Sequence, residues 1–218
     1  MPAVRTAFQQ VEEPVAKKLE TYRDKRDFRK TPEPRGDGKQ RSGERPVFVV
    51  QEHEASSHHF DLRLEVEGVL ASWAVPKGPS TDPRDKRLAV RTEDHPLDYA
   101  DFEGTIPEGE YGAGTVIVWD AGSYGNLRED EDGEAVPMQR CLAEGQVEVW
   151  LEGKKLTGGY ALHRMEGGDD REKWLLVKMR DEEADARRRP TSTEPQSVTS
   201  GRTLEEVAEE ESGEGDSA

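Results

Sequence analysis

His59-Phe60-Asp61-Leu62-Arg63-Leu64-Glu65-Val66 alternates strictly between polar and apolar residues. Successive side chains of a strand leave on opposite faces, so Phe60, Leu62, Leu64 and Val66 line one face and His59, Asp61, Arg63 and Glu65 the other. Glu67-Gly68 reads as a two-residue hairpin turn, and Val69–Val75 as the return strand, stopped by Pro76-Lys77-Gly78-Pro79. Upstream, Val47-Phe48-Val49-Val50 is a compact β-prone run. Downstream, Arg87–Thr92, Gly114–Asp120, Gln146–Leu151, Tyr160–Arg164 and Trp174–Met179 are further strand candidates. Short strands punctuated by Gly and Pro, with little helix between them, predict a mainly β chain built as an antiparallel sandwich or barrel.

The flanks read differently. Phe8, Val11, Val15 and Leu19 have helical spacing, and Pro14 suits the first turn of a helix, which predicts helix over 14–30. Thr31-Pro32-Glu33-Pro34 ends it, and 35–45 is a polar loop. Residues 122–136 form an acidic, glycine-containing loop, and 183–200 have the Arg, Pro, Ser and Thr content of a linker. Thr203–Glu211 is open between a short acidic helix and a disordered solubilising tail. The expected division is an extension over 1–18, a domain over 19–183, and a disordered linker and tail over 184–218.

Hydrophobic residues make up 32% of the chain and charged ones 36%, a balance that leaves part of it unpacked. Cys141 is the sole cysteine, which excludes an internal disulfide and a multi-thiolate metal site and suits a reducing cytoplasm. Neither a signal-peptide run nor an 18-residue apolar stretch is present, so a soluble protein without a membrane segment is expected. The net charge of −16 argues against nucleic acid only as a sum. Residues 129–134 and 203–218 hold five and seven acids without a base, whereas 23–45 carry nine Lys/Arg against five Asp/Glu. Local charge, not the total, decides a footprint.

His53, then five residues, then His59-Phe60-Asp61 is the sharpest chemical pattern. His59 and Asp61 share a face roughly 6–7 Å apart along the strand, and His53 reaches the same point from the end of the preceding strand. Two imidazoles and a carboxylate suit Mn²⁺, Zn²⁺ or Fe²⁺ and leave positions open for catalysis. The alternative is an ordinary solvated strand face. His58 points to the apolar side, as a packing or capping residue. Arg63 suits a phosphate, or else an ion pair with Asp61 or Glu65. His95, before Pro96, is placed as a general acid or phosphate donor, or as a satisfied loop histidine. Lys77, in a rigid turn, is a positioned cation or a surface lysine. Gly109-Glu110-Tyr111-Gly112-Ala113-Gly114 lacks the Lys-Ser/Thr of a phosphate loop and precedes a strand, so a tight connection explains it equally well.

Together, YRDKRDFRKTPEP (22–34), HEASSHHFDLRLE (53–65), SWAVPKGPS (72–80), KRLAVRTEDHPLDY (86–99) and FEGTIPEGEYGAGTVIVWD (102–120) resemble the 3′-phosphoesterase module of bacterial and archaeal DNA ligase D. Weaker matches run through 155–182, so the resemblance covers roughly residues 19–183. It implies a central antiparallel β-barrel with a few flanking helices. The implied activity is removal of a 3′-terminal ribonucleoside to leave a 3′-phosphate, then hydrolysis of that phosphate to a 3′-OH during DNA break repair. Mn²⁺ is the implied metal, with Zn²⁺ or Co²⁺ as alternatives, on His53, His59 and Asp61. The implied catalytic and phosphate-handling residues are Arg63, Lys77, Arg87, His95 and Tyr99. Glu93, Arg26, Asp27 and Glu33 are the implied supports, with the segment 23–34 folded over the site.

The implied partners are DNA primer–template or duplex 3′ ends. TSGRTLEEV (199–207) resembles the segment that joins this module to a ligase domain in fused proteins, which points to a separate ATP-dependent ligase and polymerase as partners. Relatives often carry basic residues between the first two histidines, whereas this chain has Glu54-Ala55-Ser56-Ser57-His58, and Glu52 where Lys is common. Two rivals remain at this point. One is a non-catalytic DNA-end binding module. The other is a non-haem iron oxygenase, with His59, Asp61 and His95 as its ligands.

Overall fold

A computed structural model describes residues 13–38, 45–167 and 171–214. Ten strands run in chain order: β1 (Val47–Glu54), β2 (His58–Val66), β3 (Val69–Val75), β4 (Arg87–Arg91), β5 (His95–Pro96), β6 (Gly104–Ile106), β7 (Gly114–Asn126), β8 (Gln146–Gly153), β9 (Thr157–Arg164) and β10 (Lys173–Lys178). Eight of them close an antiparallel barrel in the order β1-β2-β3-β4-β10-β9-β8-β7, with β7 returning to β1. Closure leaves no unpaired barrel edge. The short β5 and β6 pair outside the ring, on β3 and β7. Five short helices flank it: α1 (Val15–Lys18), α2 (Glu20–Asp24), α3 (Met138–Glu144), α4 (Pro190–Thr193) and α5 (Leu204–Glu214).

The alternation in β2 sets the inside and the outside. Phe60, Leu62, Leu64 and Val66 point inward and join Phe48, Val50, Trp73, Trp119, Tyr160, Trp174 and Leu176 in one apolar core. The hairpin Glu67-Gly68 holds, and both residues have positive φ (47° and 81°), the geometry that a two-residue turn between twisted strands needs. β7 runs six residues beyond the expected Asp120, because after pairing with β1 its second half still pairs with β8.

Two expectations are corrected and one alternative is set aside. The helix expected over 14–30 is two short helices, and Pro14 stands just before the first of them. The second ends early because Arg26 folds back and donates Nη1 to the Tyr22 carbonyl (3.0 Å), the acceptor that a continuing helix would need. The apolar spacing at Phe8 and Val11 lies outside the described residues.

The outer face of β1 and β2 is not solvated. Tyr22, Val49, Leu70, Leu97, Tyr99, Ala100 and Val118 form a second apolar cluster there, built under the N-terminal segment and the 3-10 turn Leu97–Asp101.

Finally, residues 184–211 are packed, not a disordered linker and tail. The carbonyls of Glu194 and Gln196 accept Lys155 Nζ (2.7 and 2.6 Å), and the Glu194 carbonyl also accepts Trp119 Nε1 (2.8 Å). Val198 N donates to the Val118 carbonyl (2.9 Å). Leu204 and Val207, three apart on α5, bury against Ile117. That apolar pair was hidden in an acidic run.

Candidate metal centre

His53 is the last residue but one of β1 and pairs directly with His59 near the start of β2, while Asp61 follows two residues later on the same face. The strand register therefore brings all three to one point of the outer barrel wall. One ligand atom from each lies within 4.8 Å of the others. His53 Nδ1 and His59 Nε2 stand 3.8 and 3.7 Å from Asp61 Oδ2. His59 Nδ1 bonds the Ser57 carbonyl (2.8 Å), which fixes its proton there and presents Nε2 as a lone pair. His53 Nε2 is buried with no hydrogen-bond partner among the described residues. A lone pair aimed at a carboxylate without a shared proton, and a buried nitrogen left unpaired, are what a divalent cation would satisfy. The donor set fits a metal.

Arg63 extends this face inward and is buried. Its Nη2 donates to Asp61 Oδ2 (3.1 Å), Nε donates to Gln51 Oε1 (2.8 Å), and Nη1 lies 3.0 Å from His95 Nδ1. Burial works against a charged Asp61, yet the Arg63 guanidinium beside it brings its pKa down to about 2. The carboxylate is thus ionised and ready as a ligand.

His95 Nδ1 also meets the Glu93 carbonyl (2.9 Å), and Nε2 faces Arg26 Nη2 at 3.4 Å. A carbonyl only accepts and a guanidinium only donates: Nε2 faces a donor alone, whereas Nδ1 stands between the Glu93 carbonyl, which calls for its proton, and Arg63 Nη1, which calls for its lone pair. Burial, then the two guanidiniums, holds the His95 pKa well below the usual histidine range, and the ring is neutral.

Arg26 links the covering segment to the wall. Its Nε donates to Glu33 Oε1 (2.8 Å), Nη1 donates to Glu93 Oε1 (3.1 Å), and the guanidinium stacks on the Tyr22 ring at 3.9 Å. Glu33 also accepts Tyr99 Oη (3.0 Å) and Thr31 Oγ1 (2.8 Å). Tyr99 is pushed well above its ordinary pKa by burial and by the Glu33 charge, so it stays a hydrogen-bond donor.

The expected site residues therefore separate into groups. His53, His59, Asp61, Arg63 and His95 converge, with Arg26, Glu33, Glu93 and Tyr99 joined to them. Asp27 stands outside, paired with Arg29 at the surface (2.9 Å). Lys77 is exposed in the turn after β3, and Arg87 donates Nη2 to Asp85 (2.7 Å) while its Nε is buried without a partner among the described residues. Neither touches the triad. His58 bonds Glu52 (2.8 Å) and lies edge-on to Phe60, so it packs and does not ligate. The oxygenase set of His59, Asp61 and His95 does not form, because Arg63 stands between the carboxylate and the His95 ring.

Gln51 was missed. It is fully buried, accepts from Arg63, and donates Nε2 to the carbonyls of Tyr99 and Phe102 (both 3.0 Å). Its signal was a glutamine two residues before His53, directly after the apolar run Val47–Val50. Tyr111, in the glycine-rich loop, was missed as well: it accepts Lys25 Nζ (3.2 Å) and faces Arg26. The loop contacts the covering segment through Lys30–Glu110 too (3.3 Å).

A family model for the DNA ligase D 3′-phosphoesterase domain matches residues 51–164. The chain belongs to that family. Among its relatives, the multifunctional non-homologous end joining protein LigD of Pseudomonas aeruginosa is 47% identical over 194 residues, covering 88% of this chain and 22% of the relative. The LigD DNA repair protein of Mycobacterium tuberculosis H37Rv is 45% identical over 169 residues (78% and 21%), and the LigD of Mycolicibacterium smegmatis 42% over 191 (86% and 24%). The chain thus spans between a fifth and a quarter of these LigD proteins, the part their family calls a phosphoesterase. No helix among the described residues is long and apolar enough to cross a membrane.

Proposed function

We propose that the chain is a metal-dependent 3′-end-healing phosphoesterase of DNA. It removes a 3′-terminal ribonucleoside as a phosphodiesterase, then the 3′-phosphate as a monoesterase, and hands a 3′-OH end to a separate polymerase and ligase. The observation that carries this reading is the convergence of His53, His59 and Asp61 beside the buried Arg63–His95 pair. His53, His59 and Asp61 would hold the ion, with Mn²⁺ the preferred one and Zn²⁺ or Co²⁺ acceptable to the same donors. When bound, such an ion supplies Lewis-acid charge to a phosphoryl oxygen and acidifies water.

The remaining chemistry belongs to the side chains. Arg63 and Arg26 put positive charge where a phosphoryl group gathers negative charge, and both are already held in place by Gln51, Glu33 and Glu93, so little reorganisation accompanies reaction. His95 enters the reaction neutral. An arriving phosphate offsets the two guanidiniums that depress its basicity, so Nε2 becomes a better proton acceptor when substrate is present. It can then take a proton from the attacking water and return it to the leaving oxygen, the 5′ oxygen of the ribonucleoside in the first step and the DNA 3′ oxygen in the second. Lys77 and Arg87, beyond the triad, are assigned to the phosphate of the substrate strand.

A primer–template ending in one ribonucleotide or in a 3′-phosphate tests this by gel, with and without Mn²⁺. Mn²⁺-dependent conversion of both to a 3′-OH, abolished in His59→Ala, is expected. No conversion of either end with Mn²⁺, Zn²⁺ or Co²⁺ would refute the enzymatic reading and leave a DNA-end binding module.

A further inference from the structure

The charge around the triad is lopsided. On the β7 side, α5 lies against β6, β7 and β1 and carries Glu205, Glu206, Glu209, Glu210 and Glu211. Phosphates approaching from that side meet like charge.

The opposite side differs. Phe60 pairs with Val75, so the turn Pro76–Gly78 lies beside His58 and His59, one strand spacing (about 5 Å) away. The arginine-rich stretch before α4 is bound to the loop that follows this turn. Thr81 Oγ1 donates to the carbonyls of Asp185 (2.8 Å) and Arg188 (3.0 Å), and Asp185 N donates back to the Thr81 carbonyl (3.0 Å). Thr191 packs so tightly on Gly78 that a Cβ there would meet its Cγ2 at 2.7 Å. Arg189 is exposed and directly follows Arg188, whose carbonyl Thr81 holds. Residues 76–87 and 185–190 together hold seven Lys and Arg against three Asp, in a chain of net charge −16. Arg84 and Arg187 pair with Asp82 and Asp185, yet their side chains remain 75% and 94% exposed and free to turn to another anion. Arg188 is the structural member of its run, held by Glu194 and by the Lys155 carbonyl (2.5 Å).

We infer that Arg84, Arg187 and Arg189 form a phosphate-tracking strip that seats the double-stranded part of the DNA substrate, with the duplex leaving the triad over the β3–β4 loop and away from α5. This rests on the reading of the site as a DNA 3′-phosphoesterase and adds the surface and direction of substrate binding. Exposed guanidiniums grip backbone, not bases, so the strip is indifferent to sequence.

The test compares wild type with the triple variant Arg84→Ala/Arg187→Ala/Arg189→Ala on two substrates: a 3′-phosphorylated primer–template of some twenty base pairs and a 3′-phosphorylated dinucleotide too short to reach the strip. The variant should bind the duplex on the order of tenfold more weakly, with a salt slope lower by about one for each cation that contacts a phosphate. Its KM for the duplex should rise with kcat unchanged, and its turnover of the dinucleotide should equal wild type. Unchanged duplex affinity and salt slope in the variant would overturn the strip while leaving the phosphoesterase reading intact. Equal losses on duplex and dinucleotide would overturn it too, by placing these arginines in the chemistry or the fold. Inability of the wild type to act on either substrate would be failure of the phosphoesterase reading itself.

Discussion

Replacing Gln51 with Leu removes one side chain and three buried hydrogen bonds. Oε1 loses the charged Nε of Arg63 (2.8 Å), and Nε2 leaves the carbonyls of Tyr99 and Phe102 (3.0 Å each) without their donor. Leu matches the volume closely, so the cost is electrostatic and not a cavity. Each buried polar group left without a partner costs about 1–3 kcal/mol, more for a charged one, and shared relaxation brings the sum below the simple total. A loss of about 3–5 kcal/mol is expected, which for a chain of this size lowers Tm by roughly 6–20 °C. Arg63, freed at Nε, should also drift from Asp61 and His95, so kcat should fall further than the stability loss explains at a temperature where both proteins are folded. Gln51→Glu separates the bonds. It keeps the acceptor for Arg63 but sets a carboxylate oxygen against two carbonyl oxygens, so it should be destabilised while Arg63 remains anchored. Urea unfolding gives stability from the midpoint at constant m, and steady-state kinetics gives kcat. A Gln51→Leu protein within 0.5 kcal/mol of wild type would refute the claim that this residue joins the site to the 3-10 turn.

Other outcomes follow from the same geometry. Gly114→Ala should cost more than about 3 kcal/mol by thermal unfolding and should also weaken Mn²⁺ binding: Gly114 has φ 138°, and a Cβ would stand 2.1 Å from the carbonyl of Glu54, next to His53. His53→Ala should lower Mn²⁺ affinity by at least about tenfold in calorimetric titration with the fold retained, since the histidine lies on the outer wall. Asp181→Asn should destabilise by about 3–5 kcal/mol, because Lys178 Nζ is buried and Asp181 is its counter-ion (2.5 Å). Lys155 has its pKa lowered to about 8 by burial, so between pH 8 and its unfolded value near 10.5 the unfolded chain binds more protons. Wild type should therefore gain stability relative to Lys155→Met as pH rises through that window, and show a constant difference below pH 8.

Much of this was legible because period-2 alternation is written residue by residue in β2, and β2 supplies both core and site. Phe60, Leu62 and Leu64 went inside and His59, Asp61 and Arg63 outside for that reason alone. What covers the outside was not legible in the strand. The face carrying Asp61 and Arg63 looks solvated in the sequence, and it is buried because Tyr22, Arg26 and Tyr99 arrive from distant segments. The family resemblance placed 23–34 over the site; local spacing did not. Helix length failed for a related reason: Arg26 finds stronger partners in Glu33 and Glu93 than a further helical turn offers. The C-terminal segment misled through composition, since Leu204 and Val207 anchor α5 amid glutamates and the backbone carbonyls of Glu194 and Gln196 hold Lys155 whatever side chains they carry.

In β1 and β2, even-numbered residues from Phe48 to Val66 build the barrel interior or close its mouth, and odd-numbered ones from Val49 to Arg63 build the reactive wall. Random substitutions in these strands should sort by parity, even positions lowering Tm with kinetics preserved and odd positions lowering kcat, with a loss of Tm besides at the buried Val49 and Gln51. One inserted residue after Ser57 would exchange the two sets at a stroke, turning His59, Asp61 and Arg63 toward the tryptophans and Phe60 and Leu62 toward the outer wall. The five residues between His53 and His59 are therefore a phase setting for the whole domain, and evolution is freer to change their chemistry than their number.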